Sequence, residues 1–222
     1  MVSLTMANLV QELIAKRAAQ ELQEGEVINL GIGIPTLVSK YVEDKKVFFH
    51  TENGMLGVED VIEENMDPNL VNAGKQPVGE GIGSSFFNSA DSFAMIRGGH
   101  IDVAILGVLQ VDRKAQIANW AVPGKNIIGV GGAMDLLEGA KKVIVTTTHT
   151  SKDGKSKLLK ECTYPITSNR SVDIIITELA VFRYLDGKLH LTELMPGVTI
   201  EEVEKNTEAE FINSLRLGGK PL

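Results

Sequence analysis

Apolar residues recur at helical spacing near the start of the chain. Leu9, Val10, Leu13, Ile14, Ala18 and Leu22 fall on one face of a helix predicted from about Met6 to Glu24. Gly25 stands where such a helix would end, and Lys16 and Arg17 are expected to face solvent. The pattern then changes. Val27 to Leu30, Val47 to His50, Val103 to Leu106, Val143 to Thr147, Ile174 to Thr177 and Ala180 to Phe182 are short, nearly continuous apolar runs. Such runs suit strands covered on both faces. Helical patterns lie between several of them, at Thr36 to Tyr41, Ala90 to Ile96 and Met134 to Gly139. Near the C-terminus, Thr199 with Glu202 three residues on reads as a helix cap. The alternation predicts an α/β fold with a largely parallel sheet flanked by helices. No repeat, low-complexity tract or linker breaks it, so residues 1–222 read as a single domain.

Composition narrows the class. The chain is 43% hydrophobic with 23% charged residues, a balance that supports a sizeable core and excludes extensive disorder. The net charge of −7 and the absence of a dense basic patch argue against nucleic acid. No segment has the length and apolarity of a membrane span, and the N-terminus lacks a signal-peptide pattern. One cysteine, Cys162, excludes an internal disulfide and fits a reducing cytoplasm. It reads as a small buried hydrophobe.

Glycines cluster at Gly31 to Gly33, Gly79 to Gly83 and Gly129 to Gly132. In open α/β sheets, ligands sit at the carboxyl ends of strands, where such loops leave room. The Gly31-Ile32-Gly33 turn is not a dinucleotide fingerprint, because Thr36 stands where the third glycine is needed. Val47 to His50 runs into Thr51-Glu52-Asn53-Gly54, and Asn-Gly is a strong turn signal. Glu52 is therefore expected on a tight turn at a strand end. In Ser92 to Asp102, a serine, a histidine and an acid suggest a triad, but no nucleophile elbow accompanies them. The preferred reading is that Arg97, His100 and Asp102 hydrogen-bond the loop before the next strand. Histidines and cysteines are too few there for a metal site.

Phe49-His50-Thr51-Glu52-Asn53-Gly54 resembles the nucleophile signature of the family I CoA-transferases. Asn29 to Thr36 resembles the opening turn of that family's β subunit. Asn72-Ala73-Gly74-Lys75, Ser92 to Asp102, Ala118-Asn119-Trp120, Pro123-Gly124-Lys125 and Gly131-Gly132-Ala133-Met134-Asp135 follow in the family's order. Coverage runs from about Leu9 to Phe211. There are two departures. Thr51 stands where the family usually has serine, and Leu56-Gly57-Val58-Glu59-Asp60-Val61 replaces a proline-containing loop that bears on substrate identity if it borders the acyl pocket.

The resemblance implies the sugar-phosphate isomerase-like CoA-transferase fold. It implies that Glu52 attacks an acyl-CoA thioester, then carries CoA as a glutamyl thioester to a short-chain carboxylate or 3-oxoacid. Asn53 and Gly54 would support the turn. Gly131, Gly132 and Ala133 are the candidates for backbone oxyanion donors, since a glycine loop lets amides approach closely. Lys75 is the candidate for a CoA phosphate, with Lys125 a further basic candidate. Coenzyme A enters as substrate, and no permanently bound cofactor or metal is implied. The family's α-subunit motif is absent, so the resemblance implies an α subunit partner in an α/β heterodimer, doubled to α2β2. Two rival readings use the same scaffold: an acyl-CoA thioester hydrolase, and a non-catalytic ligand-sensing relative.

Overall fold

The computed structural model describes residues 6–42, 45–59, 66–72, 74–125, 127 and 129–215. The chain opens with α1 (Met6–Ala19), β1 (Val27–Leu30), a 3-10 helix (Ile34–Tyr41), β2 (Phe48–Thr51), β3 (Met55–Glu59) and β4 (Gly79–Phe86). It continues through α2 (Ser89–Arg97), β5 (Val103–Gly107), β6 (Gln110–Asp112), β7 (Ile117–Ala118), α3 (Ala133–Gly139), β8 (Lys142–Thr146) and β9 (Leu158–Leu159). It closes with β10 (Ile174–Ile176), β11 (Ala180–Leu185), β12 (Lys188–Leu194), α4 (Ile200–Asn206) and β13 (Phe211–Asn213).

The main sheet runs β13-β12-β11-β10-β8-β5-β1-β2-β3-β4. Its centre, β10 to β2 in that order, is parallel throughout. Antiparallel strands extend it on both sides, β3 and β4 beyond β2 and β11 and β12 beyond β10. A small second sheet joins β7, β6 and β9.

The apolar runs are two-faced, as parallel strands require. Val103, Ile105, Ile144, Ile174 and Ile176 pack with Ile14, Ala15, Ala18 and Leu22 of the N-terminal segment. Ala104, Leu106, Val143, Val145 and Ile175 pack on the other side with Ile96, Leu136, Leu137 and Val203. Each fully buried aliphatic side chain contributes roughly 1.5–3 kcal/mol.

In the parallel block the strands stand β2-β1-β5-β8-β10, so the chain winds first to one side of β1 and then to the other. The switch point lies between β1 and β5. Doubly wound sheets open a crevice there, outside the carboxyl ends of the strands. Glu52 follows β2, the neighbour of β1, at that end of the sheet.

The predicted elements shift in several places. α1 ends at Ala19 rather than Glu24, and i→i+3 bonds from Gln20, Glu21 and Leu22 tighten the chain out of the helix. Gly25 is not the helix cap: at φ +84° it donates its N–H to Lys46 and turns the chain into β1. Leu9 and Leu13, predicted on the buried face, are 48% and 37% exposed, because only the C-terminal half of α1 is buried. The helix predicted at Thr36 to Tyr41 forms as a 3-10 helix and starts earlier, at Ile34, with Pro35 in its first turn. Thr199 does cap α4, accepting the Glu202 N–H.

Arg17 is the largest departure. Predicted in solvent, it is buried and clamps α1 to the antiparallel flank. Its Nε bonds Glu193 at 3.0 Å and one terminal nitrogen bonds Glu21 at 2.9 Å. Glu21 also takes Arg183 at 2.6 Å. The Glu193 carboxylate comes from far along the chain, which is why helical periodicity alone left Arg17 solvated. Among the described residues no helix is long and apolar enough to cross a membrane.

Removing one member of a buried ionic cluster strands its partners, so Arg17→Ala is expected to cost about 3 kcal/mol of stability. Arg17→Met, which keeps the stem packing, is expected to cost less. Urea unfolding of both variants checks this.

Candidate active site

Glu52 is the first residue of the turn that joins β2 to β3. Gly54 closes the turn, donating its N–H to the Thr51 carbonyl at 3.1 Å and accepting from Phe87 N–H at 2.9 Å. Gly54 sits at φ +117°, and a side chain there would overlap the Phe87 carbonyl. The Asn-Gly signal thus marks a position that only glycine fits.

The Glu52 carboxylate reaches across to the start of α3. A Cβ on Gly132 would lie 2.5 Å from Glu52 Cδ, so the carboxylate fills the space that a side chain would need. The Gly132 backbone amide, this close, favours the charged form of the carboxylate. Burial holds the Glu52 carboxyl above its usual range; the Gly132 amide opposes this, and the negative charge of Asp135 adds to it. The result is a half-buried carboxylate more basic than an exposed one, with a backbone amide beside it.

The other predicted residues fall at different distances from this contact. Asn53 is exposed and donates its Nδ2 to the Val71 carbonyl at 3.1 Å, tethering the 71–77 segment to the turn. Lys75 stands on that segment, exposed, at a left-handed φ of 59°. Of the glycine-loop candidates, Gly132 meets Glu52 while Ala133 gives its N–H to the Val130 carbonyl. Gly131, at φ +57°, supplies the bend before them. Val58 and Glu59 lie in β3, whereas Asp60 and Val61 fall outside the described residues.

The Ser92, His100 and Asp102 reading is resolved by separation. Asp102 accepts the Val27 N–H at 2.8 Å and Lys141 Nζ at 2.7 Å, tying β5 to the start of β1 rather than bonding its own loop. Arg97 reaches Asp135 at 2.6 Å, across α2 and α3. His100 is exposed. Ser92 instead bonds His50, at 3.1 Å from its Nε2. Cys162 is partly buried, and burial pushes its thiol up to about 12, which disfavours a thiolate at neutral pH.

Sequence reasoning passed over the surroundings of His50. Asn29 and His50 are paired in register on β1 and β2, with Asn29 Nδ2 3.1 Å from His50 Nδ1. The ring stacks on Phe87. The available signal was a polar residue inside each of two otherwise apolar runs.

His50 and His149 are both buried, His149 between Thr177 and Thr207 at 2.9 Å from each. Burial lowers each from 6.5 to about 4. The unfolded chain takes up protons near 6.5 that the folded chain refuses. Their contribution is therefore full above pH 6.5 and is lost as pH falls from 6.5 through about 4, up to about 3 kcal/mol for each ring. Urea midpoints measured across that window are expected to fall, and His149→Asn to flatten the slope.

The model of the family described as Coenzyme A transferase matches residues 11–206. The beta subunit of the acetate CoA-transferase of Haemophilus influenzae is 52% identical over 203 residues, covering 91% of this chain and 91% of that one. A subunit of the succinyl-CoA:3-ketoacid coenzyme A transferase of Helicobacter pylori is also 52% identical over 203 residues, covering 91% and 98%. Among solved structures, the acyl-CoA transferase of Escherichia coli O157:H7, in thioester complex with CoA, superposes with a TM-score of 0.73 at 23% identity. That match covers 95% of this chain and 43% of that longer one, and it shows a shared fold. The chain belongs to the coenzyme A transferase family.

Proposed function

We propose that this chain is the β subunit of an acyl-CoA:carboxylate CoA-transferase in which Glu52 is the nucleophile. The observation that carries the reading is the Glu52 carboxylate lodged against Gly132, whose backbone amide favours its charged form. A Glu52 oxygen attacks the thioester carbonyl of the donor and expels CoA as thiolate, leaving an acyl-glutamyl anhydride. The thiolate attacks Glu52 Cδ and expels the donor acid, leaving a Glu52–CoA thioester. The acceptor carboxylate attacks the same carbon and displaces the thiolate. The thiolate then takes the new acyl group and frees Glu52. Activation passes from the donor to Glu52 and on to the acceptor, and ping-pong kinetics follow.

Each attack on Cδ puts negative charge on the Glu52 carbonyl oxygen, beside the Gly132 amide. A donor so placed contributes roughly 3–4 kcal/mol to the transition state. The raised basicity of Glu52 strengthens it as an attacking group. Lys75, on the segment held by Asn53, is the proposed contact for a CoA phosphate.

An α partner completes the site. Both bacterial relatives are named as one subunit of their enzymes, the Haemophilus influenzae chain as the beta subunit, and this supports the reading. So does the surface beside the Glu52 hairpin, where β4 is, among the described residues, the edge strand of the sheet and carries a fully exposed Ile82 and a half-exposed Phe86. The chain's charge of −7 leaves a positive field for CoA to the partner. We assign an α2β2 assembly and a cytoplasmic setting, the latter supported by the lone Cys162. Short-chain carboxylates and 3-oxoacids are the substrate class.

The test is mass spectrometry of the complex with its α partner after addition of acetoacetyl-CoA. A CoA adduct on the Glu52 peptide is expected, as is CoA on an added acid. Free CoA without transfer would mean hydrolysis instead. Glu52→Gln is expected to abolish the adduct and return turnover to background. Gly132→Ala offers a steric probe. Its backbone, at φ −85°, accepts alanine without strain, but the new methyl collides with the Glu52 carboxylate. Turnover is expected to fall on the order of 100-fold while the melting temperature holds.

A further inference from the structure

The geometry points to His50 and Ser92 as positioning residues for Glu52, acting through one buried hydrogen-bonded chain that ends on the peptide bond preceding the nucleophile. The inference rests on Glu52 being that nucleophile.

The chain has a single sense. Asn29 Nδ2 is a donor and lies 3.1 Å from His50 Nδ1 and 3.3 Å from the His50 carbonyl. His50 Nδ1 is therefore the acceptor, and the ring proton sits on Nε2. Nε2–H then donates to Ser92 Oγ at 3.1 Å. The Ser92 hydroxyl donates its own hydrogen to the Thr51 carbonyl at 3.4 Å. That carbonyl belongs to the amide whose nitrogen is Glu52. It also accepts Gly54 N–H, so two donors from separate elements fix the orientation of one peptide plane.

The setting is rigid. Asn29, His50 and Ser92 are at most 2% exposed, and the ring lies 5.8 Å from Phe87, centroid to centroid. Phe87 in turn donates its backbone N–H to Gly54, so the ring's neighbour also holds the far side of the turn. Three polar side chains in this core carry a desolvation cost that an aliphatic residue at position 50 would avoid. A leucine there would pack on Phe87 and satisfy the fold. What leucine cannot do is hold the Thr51 carbonyl through Ser92.

The reaction explains why that matters. Glu52 carries an acyl group, then CoA, then an acyl group again. At each step its carbonyl oxygen must return to the Gly132 amide. Displacing the turn by about 1 Å costs on the order of 100-fold in rate.

The experiment uses the complex with the α partner, and compares His50→Leu, His50→Gln, Ser92→Ala and the double variant His50→Leu with Ser92→Ala. For each, kcat, the KM values for acyl-CoA and acid, and the melting temperature are measured. His50→Leu and Ser92→Ala are expected to lower kcat by roughly 30–100-fold at unchanged KM. Glutamine carries an N–H that reaches the place of Nε2–H, so His50→Gln is expected to retain most of kcat. The double variant is expected to be no slower than the slower single, since both cut the same chain. A purely structural role would lower the melting temperature and leave kcat per folded enzyme unchanged. That result, a His50→Gln variant as slow as His50→Leu, or multiplicative losses in the double variant, would each overturn the inference. Should His50→Leu not fold, Ser92→Ala and His50→Gln decide the matter. A wild-type complex that forms no CoA adduct would overturn the proposed function and the inference with it. A wild type and a His50→Leu variant labelled equally fast would overturn the inference alone.

Discussion

A carboxylate occupying the space of a missing side chain is the contact around which this molecule is arranged. Glu52 can lie against Gly132 only if the end of β2 and the start of α3 are both fixed. The first is held by the parallel pairing of β1 with β2 and by the Phe87 N–H bond to the Gly54 carbonyl. The second is held from below. Leu136 and Leu137 are buried in the core, and Arg170 bonds the carbonyls of Leu137 and Ala140 at the helix end. Asp135 is pinned by Arg97 of α2. The site is thus as rigid as the two layers that carry it.

The same contact balances opposed electrostatic effects. Burial and Asp135 disfavour the charged form of Glu52, and the Gly132 amide favours it. Exposed, the residue would be an ordinary carboxylate. Buried without a donor, it would tend to neutralise. With one backbone amide beside it, it is a basic carboxylate whose charge is partly favoured. Arg97 matters here at one remove: its pairing with Asp135 tempers a negative charge that would otherwise bear more heavily on Glu52.

Buried polarity is used twice, with different consequences. The Arg17, Glu21, Glu193 and Arg183 cluster fastens α1 to the antiparallel flank and stands apart from the Glu52 turn. The Asn29, His50 and Ser92 chain runs to the peptide bond before Glu52. Hydrophobic residues of similar shape could have filled either place at little cost to stability. The ionic cluster secures a helix, whereas the neutral chain orients a turn.

The sequence by itself determined the parallel core. Strands buried on both faces need nearly unbroken Val/Ile runs, and those runs stand at Val103, Val143 and Ile174. It also determined the Glu52 turn, because Asn53-Gly54 has few other uses after an apolar strand. The ordered motifs carried the family. The tertiary structure alone decided the rest. β4 reads Gly-Glu-Gly-Ile-Gly-Ser-Ser-Phe, with little strand propensity of its own, and is a strand because β3 supplies its hydrogen bonds. Arg17 looked solvated because its carboxylate at Glu193 lies 176 residues away. His50 looked like one more strand residue until β1 and α2 brought Asn29 and Ser92 to its two nitrogens. Local pattern records which face of an element is apolar. It holds no record of which distant polar groups will meet, and here those meetings reach the peptide bond before Glu52.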